Sequence, residues 1–172
     1  LLFFDKVGIK INRYRYYDQQ NSALDFDGML EDLKGMAPND IFLVHGCCHN
    51  PTGQDLDLQQ WKALADIVNQ TGALPFVDIA YQGFGEGIEE DVAGPRLFAE
   101  NVSQMLLTVS SSKSFGIYRE RAGILSVIVS SDDGTLLESV RRQLRGTDSQ
   151  LYVQAPAHSG AGVQEIMSTP EL

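Results

Sequence analysis

Residues 40–81, DIFLVHGCCHNPTGQDLDLQQWKALADIVNQTGALPFVDIAY, contain two short apolar runs separated by one segment of helical periodicity. The first run, DIFLVHGC, is continuously apolar and ends in a turn, the pattern of a strand buried on both faces. In DLQQWKALADIVNQTG, Trp61, Leu64, Ala65 and Val68 fall at i, i+3, i+4 and i+7, and Gly72 supplies a helix stop. ALPFVDIAY then reads as a second strand. A strand–helix–strand unit predicts parallel pairing through a helical crossover, and so an α/β fold.

The same alternation extends outward. Downstream, VAGPRLFAENVS reads as a helix, QMLLTVSSS as a strand and AGILSVIVSS as another. The loop between those last two is too short for a helical crossover, which predicts an antiparallel pair. DDGTLLESVRRQLRG reads as a helix with acidic residues at its start and arginines at its end, as the helix dipole favours. Upstream, IKINRYRYYD is rich in β-branched and aromatic residues and predicts a strand. LDFDGMLEDLKG places Leu24, Met29, Leu30 and Leu33 near helical spacing. The expected architecture is an α/β three-layer sandwich with a mostly parallel sheet.

The chain has 172 residues, about one domain, long enough for one sizeable core. Its 43% apolar and 21% charged residues are ordinary for a globular protein. A net charge of −10 argues against a nucleic-acid or anionic-membrane surface, although local arginines can still gather anionic ligands. Cys47 and Cys48 are adjacent, which predicts reduced thiols in a reducing compartment. With no second Cys or His pair at finger spacing they read as core thiols, and no metal is expected. No apolar run approaches the length of a membrane span. LLFF at the start lacks the length and basic flank of a signal peptide, and both ends read as cut.

In open α/β sheets, ligands bind beyond the C-terminal ends of the parallel strands. Three polar segments fall at that rim: HGCCHNPTG, DIAYQGFGEG and SSSKS. Asp78 has apolar neighbours on both sides, so it is expected to be partly desolvated and to need donors or a ligand cation. The alternatives are a capped core acid or a carboxylate holding a protonated ring nitrogen. Lys113, in a serine run after an apolar segment, is either a surface lysine or an amine able to attack a carbonyl. Ser110 and Ser112, with either Arg121 or Arg119, could hold a phosphate. Asn50 and Tyr81 are neutral groups able to donate to a phenolate-like oxygen, or else a turn residue and a core aromatic. His45 and His49 read as structural. The GFGEG glycines lack the following helix that a dinucleotide-binding turn requires.

Taken together, YRYYD, LDFDGMLEDL, HGCCHNPTGQDLDLQQW, PFVDIAYQGF and SSSKSFGIYRERAG, in that order over roughly residues 10 to 130, carry a specific resemblance. The chain resembles the class I pyridoxal-phosphate aminotransferases, in particular the aspartate and aromatic amino-acid branch. The resemblance implies the large, cofactor-binding domain of the fold-type I enzymes, incomplete here. Residues 1–145 would be its central part and 146–172 the start of the connection toward the small domain. It implies pyridoxal 5'-phosphate as cofactor, joined to Lys113 as a Schiff base. Asp78 would pair with the ring nitrogen, Asn50 and Tyr81 with the ring oxygen, and Ser110, Ser112 and Arg121 with the phosphate. Arg121 is preferred to Arg119 because it precedes a small residue and glycine. His45 would stand behind Asp78. Lys113, Asp78 and Tyr81 would be the catalytic set.

The implied reaction is amino transfer between aspartate or an aromatic amino acid and 2-oxoglutarate, in a cytoplasmic homodimer with its site at the subunit boundary. No part of the chain matches the family's upstream glycine loop, ring-stacking aromatic or dimer-crossing tyrosine, nor its downstream carboxylate-clamping arginine. LYVQAPAHSGA resembles a family segment loosely, and Arg145 is the candidate for the arginine that reads the substrate side chain. Two alternatives are a related pyridoxal-phosphate lyase and a non-catalytic fragment that binds the cofactor or a partner chain.

Overall fold

The computed structural model describes residues 2–153 and 157–169. The elements run α1 (Leu2–Lys6), β1 (Tyr17–Asp18), β2 (Ala23–Leu24), α2 (Phe26–Leu33), β3 (Ile41–His45), α3 (Leu58–Thr71) and β4 (Leu74–Ile79). A 3-10 turn (Glu90–Val92) leads into α4 (Ala93–Asn101), β5 (Gln104–Ser110), α5 (Ser111–Ser114), β6 (Gly123–Val129), α6 (Gly134–Tyr152) and α7 (Ala157–Ser168).

The quoted segment forms the expected β3–α3–β4 unit. Asp57 accepts from the Gln60 amide at 2.8 Å while the Gln60 side chain accepts from the Asp57 amide at 2.9 Å, so α3 starts in a reciprocal cap. It stops at Gly72, whose φ of 71° a side chain would resist. The four-stranded sheet has the order β3-β4-β5-β6, with the first three strands parallel and β5–β6 antiparallel. Both the mostly parallel sheet and the final reversal are as the sequence predicts.

Register places His45 opposite Asp78, Asp78 opposite Thr108, and Ser110 opposite Gly123. The core joins one face of the sheet to α2, α3 and α4: Phe42, Val44, Val77, Ile79 and Met105 meet Met29, Leu33, Trp61, Leu64, Val68 and Phe98. Trp61 packs on Phe98 with ring centroids 5.3 Å apart. Gly94 makes room for this pair, since a Cβ there would lie 2.1 Å from the Trp61 indole nitrogen.

Two sequence expectations change. Of IKINRYRYYD only Tyr17–Asp18 is strand, paired with Ala23–Leu24. The residues before it are held by side chains instead: the Tyr14 hydroxyl donates to the Leu43 carbonyl at 2.9 Å, the Tyr16 hydroxyl to the Gln54 carbonyl at 2.6 Å, and Arg15 pairs with Glu31 and Asp32. α6 runs on through Gly146 to Tyr152, so Arg141, Arg142 and Arg145 sit mid-helix and do not face its negative end. Its acidic start is as expected, for Asp133 caps the Thr135 and Leu136 amides. The LYVQAPAHSGA reading falls partly on 154–156, which lie outside the described residues.

Candidate active site

Each parallel strand ends at the same rim, and each delivers a polar residue there. Together they line a cavity of about 150 Å³ bounded by His45, Cys47, Asn50, Asp78, Ala80, Tyr81 and Lys113. The fold thus brings together four of the predicted residues: Asn50, Asp78, Tyr81 and Lys113.

Asp78, half-buried near the end of β4, accepts a hydrogen bond from the Thr108 hydroxyl at 2.7 Å. One donor fixes one carboxylate oxygen and leaves acceptor capacity for a ligand. Beside it, His45 accepts from the Asn50 backbone amide at Nδ1 (3.3 Å), which orients the ring. His49 lies 4.7 Å from His45, stacks on Tyr16 at 3.9 Å, and meets the Thr52 hydroxyl at 2.8 Å. Burial and the His45 neighbour lower the His49 pKa. Asp55 clamps the intervening turn by accepting from the Cys48 and His49 amides at 2.6 and 2.8 Å. Burial pushes the Cys47 thiol up to about 12, so it is a protonated lining group.

Lys113 sits on the single turn of α5, capped by the Ser110 hydroxyl, which accepts from the Ser112 amide at 3.2 Å. Its Nζ stands 4.6 Å from the centroid of the Tyr81 ring, a cation–π contact. Among the described residues it forms no ion pair. The next residue ties this turn to the neighbouring loop, for the Ser114 hydroxyl donates to the Gln82 carbonyl at 2.9 Å.

Ser110, Ser112 and Arg121 flank Lys113 but are not in the cavity lining. Ser112 is buried; Arg121 is exposed, has φ of 53°, and donates from Nη1 to the Tyr118 carbonyl at 3.2 Å. The Ser111 amide bonds the Ala122 carbonyl at 3.1 Å, which keeps the Arg121 backbone at the serine end of the β5–β6 hairpin. Arg119 and Arg145 are exposed and also lie outside the lining. Thr108 escaped the sequence reading. The available signal was its parity: in MLLTVS it is the polar residue two before Ser110, on the same face of the strand.

A half-buried carboxylate with acceptor capacity to spare, neutral hydrogen-bonding groups and an amine over an aromatic ring thus line one cavity. The model of one family, "aminotransferase class I and II", matches residues 3–172. The chain belongs to the class I and II aminotransferases. It is 44% identical to the aromatic-amino-acid aminotransferase of Paracoccus denitrificans, over 96% of this chain and 42% of that one. It is 38% identical to the aspartate aminotransferase of Escherichia coli, over 98% and 42%. Among solved structures, an aromatic amino acid aminotransferase with 3-indolebutyric acid superposes with a TM-score of 0.95 at 43% identity, over 99% of this chain and 43% of that one. That from Burkholderia pseudomallei, covalently bound to pyridoxal phosphate, gives 0.92 at 43% identity, over 99% and 42%. This aminotransferase chain spans about two-fifths of the length of the relatives it matches, and its fold is that of fold-type I. Among its described residues no helix is long and apolar enough to cross a membrane.

Proposed function

We propose that the protein is a pyridoxal 5'-phosphate-dependent transaminase acting on aspartate or aromatic amino acids with 2-oxoglutarate. The observation that carries this is the Lys113 amine over the Tyr81 ring in one cavity with the Asp78 carboxylate. The donor set fits the cofactor. Asp78, oriented by Thr108, would hold the proton on the ring nitrogen; Asn50 and Tyr81 would orient the ring through its oxygen. Ser110, Ser112 and Arg121 would bind the phosphate once the guanidinium turns from the Tyr118 carbonyl. When bound, pyridoxal phosphate supplies the electron sink for bond breaking at an amino-acid Cα. Lys113 Nζ would anchor it and, when free, carry a proton to or from that carbon. The Tyr81 ring beneath the amine limits where it swings.

The substrates, a homodimer with its site at the subunit boundary, and a cytoplasmic location follow from the family resemblance, the last also agreeing with two free cysteines. We take 1–145 as the central part of the large domain and 146–172 as the start of the connection. The test is absorbance with added pyridoxal phosphate, before and after borohydride reduction, followed by peptide mapping. A visible band fixed to Lys113, and lost in Lys113→Ala, is expected, and amino-donor assays then separate transamination from lyase chemistry. Reduction spread over other lysines would reject the Lys113 site for this chain and leave the non-catalytic fragment reading.

A further inference from the structure

Cys47 and Cys48 are neighbours in sequence, but their third companion is 43 positions further on. The two sulfurs and a carboxylate oxygen of Asp91 lie within 4.8 Å of one another. Cys47 and Asp91 are 5% and 9% exposed, and Cys48 is half-buried, so the cluster is largely shielded from solvent. We propose that it is a binding site for a thiophilic d10 divalent ion of the zinc class, independent of the Lys113 reading.

Donors around one tetrahedral ion of this class, at about 2.0–2.3 Å each, stand roughly 3.5–4 Å from one another. The longest of the three separations therefore needs to close by up to about 1.3 Å. Asp91 is already oriented: Oδ2 accepts from the Gly83 and Gly85 amides at 2.8 and 3.0 Å, and Oδ1 from the Glu86 amide at 2.9 Å. An ion would take the place of one of these backbone donors at the oxygen it meets. The Cys48 thiol donates to the Tyr81 carbonyl at 3.8 Å, a weak bond that is readily given up. On binding, two S–H bonds break, two sulfur–metal bonds form and two protons leave to solvent; nothing is oxidised or reduced.

Cys47 also lines the cofactor cavity, three residues before Asn50. An ion seated here engages a sulfur that also lines that cavity, so occupancy of the two sites is coupled through Cys47.

Cadmium(II) is the probe, because its thiolate complexes absorb in the ultraviolet and need no cofactor to be seen. The expected result is one equivalent per chain, a charge-transfer band, and two protons released at constant pH. Cys47→Ser and Cys48→Ser should each abolish the band, and Asp91→Asn should weaken binding about tenfold or more. Circular dichroism shows that each variant is folded, and Cys48→Ser, at the more open position, keeps the test valid if Cys47→Ser is not. No band, a band that survives either serine variant, or unaltered affinity in Asp91→Asn would overturn the proposal.

Discussion

The chain holds two regions that share one sheet and differ in how they are held. Among the described residues, the buried apolar residues of the core all lie from Met29 to Met105, around the parallel strands β3, β4 and β5. Beyond that, β6 exposes Ile124 and Leu125 at 64% and 51%. The same division runs through the site. Asp78 is seated by strand register and a hydroxyl from the next strand, whereas Lys113 stands on one helical turn in the β5–β6 connection. The acid is positioned by packing and the amine by a few hydrogen bonds.

The largest test of this contrast is stability. Trp61→Ala removes a buried indole against Phe98 and should cost about 3–5 kcal/mol in urea unfolding. Leu125→Ala, on the exposed hairpin, should stay within about 0.5 kcal/mol. Equal costs would break the comparison. Next comes the site itself. Thr108→Val leaves a half-buried carboxylate short of its donor and should cost about 1–3 kcal/mol, with weaker pyridoxal phosphate binding. Ser114→Ala frees the Lys113 turn from the Gln82 carbonyl at about 0.5–1.5 kcal/mol. Its signature is a change in Lys113 labelling by an amine reagent, which Thr108→Val leaves unaltered.

The smallest effect is titration. His49 binds its proton less readily in the folded chain, so the unfolded chain takes one up first as pH falls. Its contribution is complete above about 6.5 and declines as pH drops toward the lower folded value. Urea midpoints above and below that pH should therefore separate, and separate less in His49→Gln. An unchanged separation would remove His49 as the source.

What the sequence made legible was whatever a period or a cap encodes locally. α3 announced itself by its apolar spacing and Gly72, and the antiparallel pair by loop length. Asn50, Asp78, Tyr81 and Lys113 were found because strand ends converge in such sheets. Two misreadings have separate causes. The 9–18 segment has strand composition, but its tyrosines and Arg15 are taken by partners 16 to 38 positions away, which composition does not name. The helix read over DDGTLLESVRRQLRG continues past its arginines, because Gly146 keeps a negative φ and the backbone does not turn left-handed there. Asp91 was silent for a third reason: its loop-gathering role and its nearness to Cys47 and Cys48 exist only after β3 and β4 pair.

The length of α6 has one more consequence. β6 finishes at Val129, opposite Gln104, at the end of the sheet remote from Lys113. A 19-residue helix spans about 28 Å, more than the roughly 23 Å of a seven-residue strand. α6 is therefore a return stroke long enough to carry the chain back along the whole sheet. His158, early in α7, meets Glu120 at 2.8 Å on the connection that follows Lys113, which marks where the stroke lands. Shortened by one turn, it would arrive about 5.4 Å short of that mark.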